Sequence, residues 1–531
     1  MASRWADHLQ VNPAYYPGYN AFYGSLKWLV PDPFSVTILH RVLIVLGTTA
    51  LLLAVFRRLL TPGIAWGLAL WWAVLPVTYD TIFEIHLLGA LAGLVVVLVA
   101  LRWSGLAGRA TAFGLLLAAA LLVRNEYVVG AVVFGLIWLG YELWRLRRGT
   151  APSWRELAAA GAIPLLAFAV LLVLVSWRDV DRNTSVYSQL ASKNELAFCQ
   201  GYALDLDHSG DVLAANPLAQ CRAYTRRDFG EDMPSLFQAI GDNAGAVAGH
   251  FRRNAALFPA GLEIGLFNAK YGSIAPASNP DYIDIKQGSW LVLAGLIGVV
   301  LTIIAGAVLI WRDRRRWWDD WLHDRAWGWV ALAAIGSVGI YAGLMTRPRP
   351  SYIFPLTILV LALFGMSAVA IADRLGIPAR VRALIPLVAL LALIFVPPHY
   401  RAGYSNPQTG PGQPLKTAVD RVSPYRNQIQ GREHGLLAVY PSTDVCLYVG
   451  ESDPCTTVSW NYPIGKTLGP ELAGREQHSF TSTRVDFIYA NEYAFNADPT
   501  VRSQLNALVG HGWHRLGPAE ADWMLLQRDG S

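Results

Sequence analysis

The segment LLVRNEYVVGAVVFGLIWL, residues 121–139, decides the fold class of this chain. An apolar run ends at Val123, the polar residues Arg124, Asn125 and Glu126 follow, and a second apolar run begins at Tyr127. Connections of a few residues join neighbouring antiparallel helices. The segment therefore predicts a tight turn between two apolar helices.

The composition of the whole chain agrees with this interpretation. Of its 531 residues, 54% are hydrophobic and 15% are charged, and the mean hydropathy is +0.34. A soluble protein carries about 25% charged residues. The composition excludes a soluble cytosolic enzyme and a disordered chain. The net charge of +5 is too small to indicate a nucleic-acid partner. The high share of hydrophobic residues and the low share of charged ones predict a protein that spans a lipid bilayer several times.

Apolar runs long enough to cross a bilayer recur along the chain, since a spanning helix needs about 20 mostly apolar residues. The sequence predicts a mainly α, polytopic helical membrane bundle with ten spans. No cleavable signal peptide is visible, because the first 35 residues are polar, aromatic and proline-rich. The predicted spans are 36–56, 63–79, 87–103, 109–123, 127–144, 158–177, 289–311, 328–346, 352–372 and 383–397.

The arginines give this bundle an orientation. If residue 1 is external, the internal short loops contain most of the arginines, and the external short segments hold only Arg4, Lys27, Arg124, Arg347 and Arg349. Cytoplasmic loops of membrane proteins carry the excess of Lys and Arg. The sequence therefore predicts that the long loop and the C-terminal tail lie on the external side of the membrane.

Five regions follow from these spans. Residues 1–35 form an external segment, 36–177 hold spans one to six, 178–288 form a periplasmic loop domain, 289–397 hold spans seven to ten, and 398–531 form a small C-terminal periplasmic α/β domain. In that tail HGLLAVYP, RVDFIYAN and WMLLQRDGS have the length and composition of strands, and DPTVRSQLNALVGHGW has the pattern of a helix.

All four cysteines lie in the two long external regions, Cys199 and Cys221 in the loop and Cys446 and Cys455 in the tail. Extracytoplasmic compartments are oxidising, so we expect one local disulfide in each region. A zinc site is the alternative, although neither a CxxC motif nor paired histidines accompany these cysteines.

Ionisable residues at the predicted outer boundary are the candidates for function, since burying a charge there is costly. They form four clusters. These are Asp7 with His8; Asp80, Glu84 and His86; Arg124 with Glu126; and Arg347, Arg349 and Tyr352, to which Arg41 in the first span could be added.

Each cluster also has a structural interpretation. Asp80 and Glu84 would then be solvated loop residues, Arg124 and Glu126 an ion pair that caps the hairpin, and Arg347 and Arg349 anchors at the membrane surface. The position of Arg347 and Arg349 on the outer side, against the general trend, favours an anionic ligand.

The chemistry of these residue types suits a transfer reaction at the membrane surface. Carboxylates can deprotonate an incoming hydroxyl or amine, or hold a divalent cation such as Mg or Mn. Guanidinium groups bind phosphate with two parallel hydrogen bonds. Together they predict a donor whose phosphate lies among the lipid headgroups, such as a polyprenyl-phosphate sugar.

Three segments carry a resemblance to a known family: YPGYNAFYGSLKWLVPDPFSVTILHRVLIVLGTTALLLAVFRRLL (16–60), LLVRNEYVVGAVVFGLIWL (121–139) and RPRPSYIFPLTILVLALFG (347–365). They resemble the GT-C superfamily of polytopic glycosyltransferases, in the branch of the lipid-A aminoarabinose transferases and protein mannosyltransferases. KNELAFCQGYAL, from Lys193, is similar to a loop in uncharacterised bacterial members.

The resemblance implies roles for individual residues. The family has a first span and then an external acidic pair. Residues 1–35 contain no candidate span, and Asp7 with His8 is the nearest match to the acidic pair, which would make Asp7 a candidate catalytic base. A second catalytic acid would be Asp80 or Glu84, and the group that contacts the donor phosphate would be Arg347 or Arg349, with Tyr352 beside them. The resemblance implies inverting transfer of a sugar to a lipid, glycan or protein acceptor.

Other functions stay open at this point. A lipid-linked oligosaccharide polymerase or ligase is the nearest alternative enzyme. A transporter or flippase would place charges or broken helices near the membrane midplane, whereas here the charges collect at one face. A scaffold that anchors the tail would need fewer than ten spans.

Overall fold

The computed structural model describes residues 5–6, 8–11, 16–30, 33–75, 84–150, 152–179, 185–208, 221–267, 270–271, 287–288, 290–317, 319, 324–382, 384, 417, 420–429, 436–439, 456–458, 486–492, 495, 499–518 and 522–530. The chain divides into two compact units. The first comprises Met1–Phe198 and Ser235–Tyr404, and the second comprises Cys199–Pro234 and Ser405–Ser531.

Helices dominate the described part of the chain up to residue 382. They are α1 (Pro17–Leu26), α2 (Pro33–Leu59), α3 (Pro62–Val74), α4 (Glu84–Arg102), α5 (Leu106–Leu122), α6 (Tyr127–Arg147), α7 (Trp154–Trp177), α8 (Val186–His208), α9 (Cys221–Phe229), α10 (Leu236–Phe267), α11 (Trp290–Arg312), α12 (Arg314–Trp317), α13 (Ala326–Met345), α14 (Pro350–Arg374) and α15 (Ala379–Arg382).

Seven helices in the described part are long and apolar enough to cross a membrane, which confirms the prediction of a polytopic helical membrane protein. These candidate spans are Ile38–Leu59, Ile85–Arg102, Tyr127–Arg147, Trp154–Trp177, Trp290–Arg312, Ala326–Met345 and Pro350–Arg374. Two further predicted spans coincide with the shorter apolar helices α3 and α5. The tenth, 383–397, lies outside the described residues apart from Leu384.

The two ends of the helix bundle differ in their polar residues. The last turns of α2, α4, α6, α11 and α14 all contain arginine, and we call this the arginine-rich end. Cations there also complement the negative ends of the helix dipoles. The opposite end, where a short turn joins α5 to α6 and another joins α13 to α14, is called the polar end.

Glycines let the helices of this bundle pack closely. A Cβ on Gly336 would lie 2.5 Å from a Leu359 side-chain atom, so α13 and α14 approach as they do only because this position has no side chain. Gly93 likewise faces Ile335, which brings α4 against α13. Small residues at helix contacts are typical of membrane bundles. The helices that carry the polar end are therefore held in fixed register.

Helix α10 enters the bundle from the polar end. Its Gly265 packs against Thr357 of α14, which lies seven residues, or about 10 Å, beyond the first residue of that helix. The helix is interrupted at Asn243, which has non-helical dihedrals, and the Asn243 side chain accepts a hydrogen bond from the backbone of Ala246 (3.0 Å) and so caps the second part. Part of the predicted loop 178–288 is thus packed against the spans.

The C-terminal part of the second unit contains a five-stranded sheet. Its strands are β3 (Leu436–Val439), β4 (Thr456–Val458), β5 (Phe487–Ala490), β6 (Trp513–Arg515) and β7 (Met524–Arg528), and their order in the sheet is β4-β3-β5-β7-β6. Strand β3 runs parallel to both of its neighbours, β4 and the central strand β5, whereas β7 runs antiparallel to β5 and β6. This confirms the small C-terminal sheet, although strands β4 and β6 were not among the predicted elements. Helix α16 (Arg426–Ile429) precedes β3, and α17 (Pro499–Leu508) lies between β5 and β6 in the sequence. A separate short pair of strands, β1 (Lys270–Tyr271) and β2 (Gln287–Gly288), occurs earlier in the chain.

Candidate functional site

Tyr352, in the first turn of α14, lies at the centre of a polar cluster. The guanidinium carbon of Arg124 lies 4.8 Å from its ring centroid and that of Arg349 lies 5.6 Å from it. The ring of His86 meets the same ring edge-on at 5.0 Å between centroids. Three of the four clusters predicted from the sequence thus contribute to one site at the polar end, which we call the Tyr352 cluster.

The turn between α5 and α6 fixes Arg124 within this cluster. The Arg124 amide donates to the Ala119 carbonyl (2.8 Å), and the Arg124 carbonyl accepts from the Tyr127 amide (3.0 Å). Its side chain donates from Nε to Glu126 Oε2 (3.1 Å) and from Nη2 to Glu126 Oε1. Both side chains are largely buried. The pair therefore has the two-bond geometry that holds a guanidinium in one orientation.

Charge pairing overrides burial for both members of this pair. Burial alone would lower the pKa of Arg124, but the adjacent Glu126 carboxylate leaves it above its ordinary value. Burial would raise the pKa of Glu126, but the charge and hydrogen bonds of Arg124 hold it below its ordinary value. The structural interpretation of Arg124 and Glu126 as an ion pair is correct, and Arg124 still presents its face to Tyr352.

Two residues missed at the sequence level complete the cluster. Tyr16, which precedes α1 with a left-handed backbone (φ 58°), has its ring centroid 5.8 Å from the Arg124 guanidinium carbon. The Lys193 ammonium of α8 lies 5.7 Å from the same ring, and burial, together with the charge of Arg124, lowers the pKa of Lys193. The neighbouring Asn194 accepts a hydrogen bond from Asn125. The loop region thus supplies a further cation.

Helix α10 positions the segment that carries Arg347 and Arg349. Asn254 Nδ2 donates to the Leu344 carbonyl (2.8 Å), and His250 Nε2 lies 3.1 Å from the Met345 carbonyl, so both satisfy groups that the end of α13 leaves without helical partners. Further along α10, a Cβ on Gly261 would lie 2.1 Å from the Pro348 carbonyl oxygen. The backbone between the two arginines therefore rests directly on α10.

Arg347 and Arg349 differ in their surroundings. The Arg347 side chain is buried, with 3% of the residue exposed, and its carbonyl accepts from the Arg349 amide at 2.7 Å. Arg349 faces Tyr352. Of the two arginines that the sequence could not distinguish, Arg349 is therefore the one that the described contacts bring into the Tyr352 cluster.

The structure describes the backbone of only one of the three predicted catalytic carboxylates, Glu84. Asp7 and Asp80 lie outside the described residues, and Glu84 begins α4, with its side chain outside them. Because His86 follows Glu84 by two residues and contacts Tyr352, the backbone of Glu84 lies near the cluster. Below it, the Tyr127 hydroxyl donates to the Gly89 carbonyl and ties α4 to α6.

Arg41 lies on α2 beside His40, whose ring is surrounded by three aromatic rings. The centroids of Tyr19, Phe22 and Tyr23 lie 5.2, 5.6 and 4.7 Å from that of His40. The aromatic segment at the start of the chain thus packs against the first long helix. A role of Arg41 in phosphate binding stays a prediction.

No group of three or more His, Cys, Asp or Glu side chains that could hold a metal ion occurs in the part of the chain that the structure describes. A divalent cation at the candidate acids stays a prediction, since Asp7, Asp80 and the Glu84 carboxylate lie outside that part.

A second buried ion pair lies at the arginine-rich end. Arg109 donates to Glu142 (2.7 Å) and to the Ser104 carbonyl (2.7 Å), and Glu142 also accepts from Trp138 (3.2 Å) and Arg145 (3.3 Å). The partners are side chains of α5 and α6 and the carbonyl of Ser104 in the connection before α5. This pair joins α5 to α6 and is a structural feature.

In the second unit, the disulfide between Cys199 and Cys221 is present as predicted. Beside it, the Thr225 hydroxyl donates to the Asp232 carbonyl (2.5 Å). Cys446 and Cys455 lie outside the described residues, and their pairing stays a prediction.

No protein-family model matches the chain, and a comparison with curated proteins found no match. The relation to the GT-C superfamily stays a prediction based on the three segments quoted above.

Proposed function

We propose that this protein is a glycosyltransferase of the GT-C type, which moves a sugar from a polyprenyl-phosphate donor to a lipid, glycan or protein acceptor. The observation that supports it best is the meeting of Arg124 and Arg349 on the ring of Tyr352 at the polar end of the bundle. In this proposal the polar end faces the periplasm of a bacterial inner membrane.

The Tyr352 cluster has the chemistry that a lipid-linked phosphate requires. Its cations lie at the ends of membrane-spanning helices, which is the depth of lipid headgroups. The Arg124 guanidinium lies over the rings of Tyr352 and Tyr16, and the Lys193 ammonium lies over the ring of Tyr16. The ring faces attract these cations, which are less hydrated there than in water. Arg349 would bind the phosphate, with Lys193 as a second contact.

The reaction would be a direct displacement. A carboxylate, Asp7 or Glu84, takes the proton from an acceptor hydroxyl or amine, and Asp80 orients the acceptor. The acceptor atom then forms a bond to the anomeric carbon as the bond from that carbon to the phosphate oxygen breaks, and the electron pair leaves with the polyprenyl phosphate. Arg349 stabilises the charge that develops on the leaving phosphate. Glu126 is engaged by Arg124 and would act by positioning it.

A transporter is the alternative function that the site argues against. It would use ionisable groups near the membrane midplane. Two buried ion pairs instead lie at the helix ends, Arg124 with Glu126 at one and Arg109 with Glu142 at the other.

Binding of polyprenyl phosphate to the purified full-length protein in lipid nanodiscs tests the donor site. Arg349→Lys keeps the charge but cannot form the guanidinium fork, so we expect binding to weaken about tenfold. Arg148→Lys, at the arginine-rich end, is the matched control and should bind as the unmodified protein does. Unchanged binding by Arg349→Lys and Arg349→Gln would refute the donor site.

A second measurement separates binding from transfer. With a labelled polyprenyl-phosphate sugar as donor, Glu84→Gln and Asp80→Asn should lose release of polyprenyl phosphate while they still bind the donor. If a triple variant that also carries Asp7→Asn releases polyprenyl phosphate at the normal rate, none of the three candidate carboxylates is the base and the transferase proposal fails.

A further inference from the structure

A cavity of about 350 Å³ opens between α3, α11, α14 and the end of α10. Its wall is almost entirely apolar and includes Trp71, Phe267, Val299, Phe364 and Ala368. The indole N–H of Trp71 already donates to the Leu266 carbonyl (2.7 Å), so this polar group of the cavity wall has its partner within the protein. A water-filled state is unfavourable, because apolar cavities of this kind stay dry.

The cavity is separate from the Tyr352 cluster. Leu361, which lines the cavity, follows Tyr352 by nine residues, or two and a half helical turns, so the two side chains lie on opposite faces of α14. Nothing in the proposed transferase reaction uses this face. The cavity is therefore a second feature that requires its own explanation.

The cavity lies nearer to the arginine-rich end of the bundle than to the polar end. Leu361 lies eleven residues, about 16 Å, from the start of α14 at Pro350, whereas Ala368 lies six residues, about 9 Å, from its end at Arg374. On α3, the lining residue Ile64 lies only two residues from the helix start at Pro62. A lipid chain reaches this space most directly from the leaflet at the arginine-rich end.

The surroundings of the cavity match a lipid at both ends. On α11, which lines the cavity with Val299, the apolar residues Val300 and Ile304 are exposed, so the same helix presents an apolar face to the bilayer. At the arginine-rich end, Arg57 and Arg58 end α2 just before α3 begins, and Arg374 ends α14; all three are exposed. The acid beside them, Asp373, is paired with Arg382 at 2.6 Å.

We propose that this cavity binds an acyl chain of an anionic phospholipid from the leaflet at the arginine-rich end, with the headgroup phosphate at Arg57, Arg58 and Arg374. The chain fills apolar volume that protein side chains leave open, and the exposed guanidinium groups select a negatively charged headgroup. The bound chain contacts α3, α11 and α14 at the same time.

Native mass spectrometry of the delipidated full-length protein tests this proposal, with phosphatidylglycerol as the probe and phosphatidylcholine of the same acyl chains as the comparison. Ala368→Leu fills the cavity from α14, and Val299→Phe fills it from α11. Each displaces roughly two methylene groups or more of the chain, so we expect phosphatidylglycerol to bind about tenfold more weakly. Ala307→Leu adds the same atoms to the exposed surface of α11 and should bind normally.

The headgroup is tested by Arg57→Gln, Arg58→Gln and Arg374→Gln together, which should abolish the preference for phosphatidylglycerol over phosphatidylcholine. The proposal is overturned if neither cavity-filling variant weakens binding, or if the unmodified protein binds the two phospholipids equally. It is also overturned if polyprenyl phosphate displaces phosphatidylglycerol from the unmodified protein and binds less well to Ala368→Leu, because the cavity would then hold the polyprenyl chain. Size-exclusion profiles identify a variant that misfolds, and the two cavity-filling changes come from different helices, so one can stand for the other.

Discussion

The Arg124 guanidinium carbon lies 4.8 Å from the centroid of the Tyr352 ring. This contact joins the turn between α5 and α6 to the first turn of α14, two segments that are far apart in the sequence. Because Glu126 holds the same guanidinium by two hydrogen bonds, its position does not depend on a ligand. The site is therefore organised before a substrate arrives, which reduces the cost of binding.

The ring of Tyr352 should matter more than its hydroxyl for this organisation. Tyr352→Phe keeps the aromatic face for Arg124, Arg349 and His86, whereas Tyr352→Leu removes it. We expect Tyr352→Leu to lower the free energy of unfolding by about 0.5–2 kcal/mol relative to Tyr352→Phe. Thermal unfolding in detergent measures this, and Tyr187→Leu at an exposed position is the control. Equal stability of the Phe and Leu variants would contradict the prediction.

The ion pair of Arg124 and Glu126 predicts sensitivity to acid. The pKa of Glu126 is held below its ordinary value, so its contribution to stability is present above the unfolded carboxyl pKa of about 4.3 and is lost as the pH falls through the lower folded pKa. At neutral pH, Glu126→Gln leaves a buried guanidinium without its anion and should cost about 3–5 kcal/mol. Unfolding measured from pH 7 to pH 3 checks both statements.

A double-mutant cycle separates this pair from its surroundings. Arg124→Gln combined with Glu126→Gln should cost less than the sum of the single changes, because the second change removes the charge that the first leaves unpaired. Additive costs would show that the two side chains act independently, in disagreement with their bonding.

Lys193 predicts how phosphate binding depends on pH. Burial and the charge of Arg124 lower its pKa, so the free protein loses this proton at a lower pH than an ordinary lysine does. A bound phosphate favours the ammonium form, and its affinity should therefore fall as the pH rises through the pKa of Lys193. Titrations with polyprenyl phosphate above about pH 7, where the phosphate is already a dianion, isolate this effect. The Lys193→Arg variant should not show this decline in affinity. If its affinity falls with pH as that of the unmodified protein does, Lys193 does not contact the phosphate.

The sequence predicted the apolar helices and the turn at Arg124 because both depend on local composition. It also pointed to His86, to Arg124, and to Arg349 with Tyr352 in three separate clusters. Their meeting depends on packing between distant helices, which no local pattern encodes. Lys193 and Asn194 were visible only as the start of a polar loop stretch. Helix α10 was missed because its charged residues and Pro259 interrupt the apolar run, although Gly261 and Gly265 are spaced as in helices that pack closely.

The disulfide between Cys199 and Cys221 should stabilise its own region. It closes a loop with a sequence separation of 22, and the loss of such a cross-link typically costs about 2–4 kcal/mol. Replacing both cysteines with alanine should therefore increase proteolysis between α8 and α9 while the spans stay resistant. Limited proteolysis followed by mass analysis measures this. Equal cleavage of both proteins would mean that the contacts of Thr225 and Asp232 suffice to hold the region.

The contact between Gly261 and Pro348 predicts control of the phosphate site by α10. A Cβ at Gly261 would lie 2.1 Å from the Pro348 carbonyl oxygen, so Gly261→Ala must shift the segment that carries Arg347 and Arg349. We expect polyprenyl-phosphate binding to weaken although no residue of the Tyr352 cluster is changed. Gly241→Ala is the matched control on the same helix, because no atom lies within 4 Å of a Cβ there. If both variants bind equally well, the segment adjusts without moving Arg349, and α10 does not position the site; weaker binding by Gly261→Ala alone would assign that role to it.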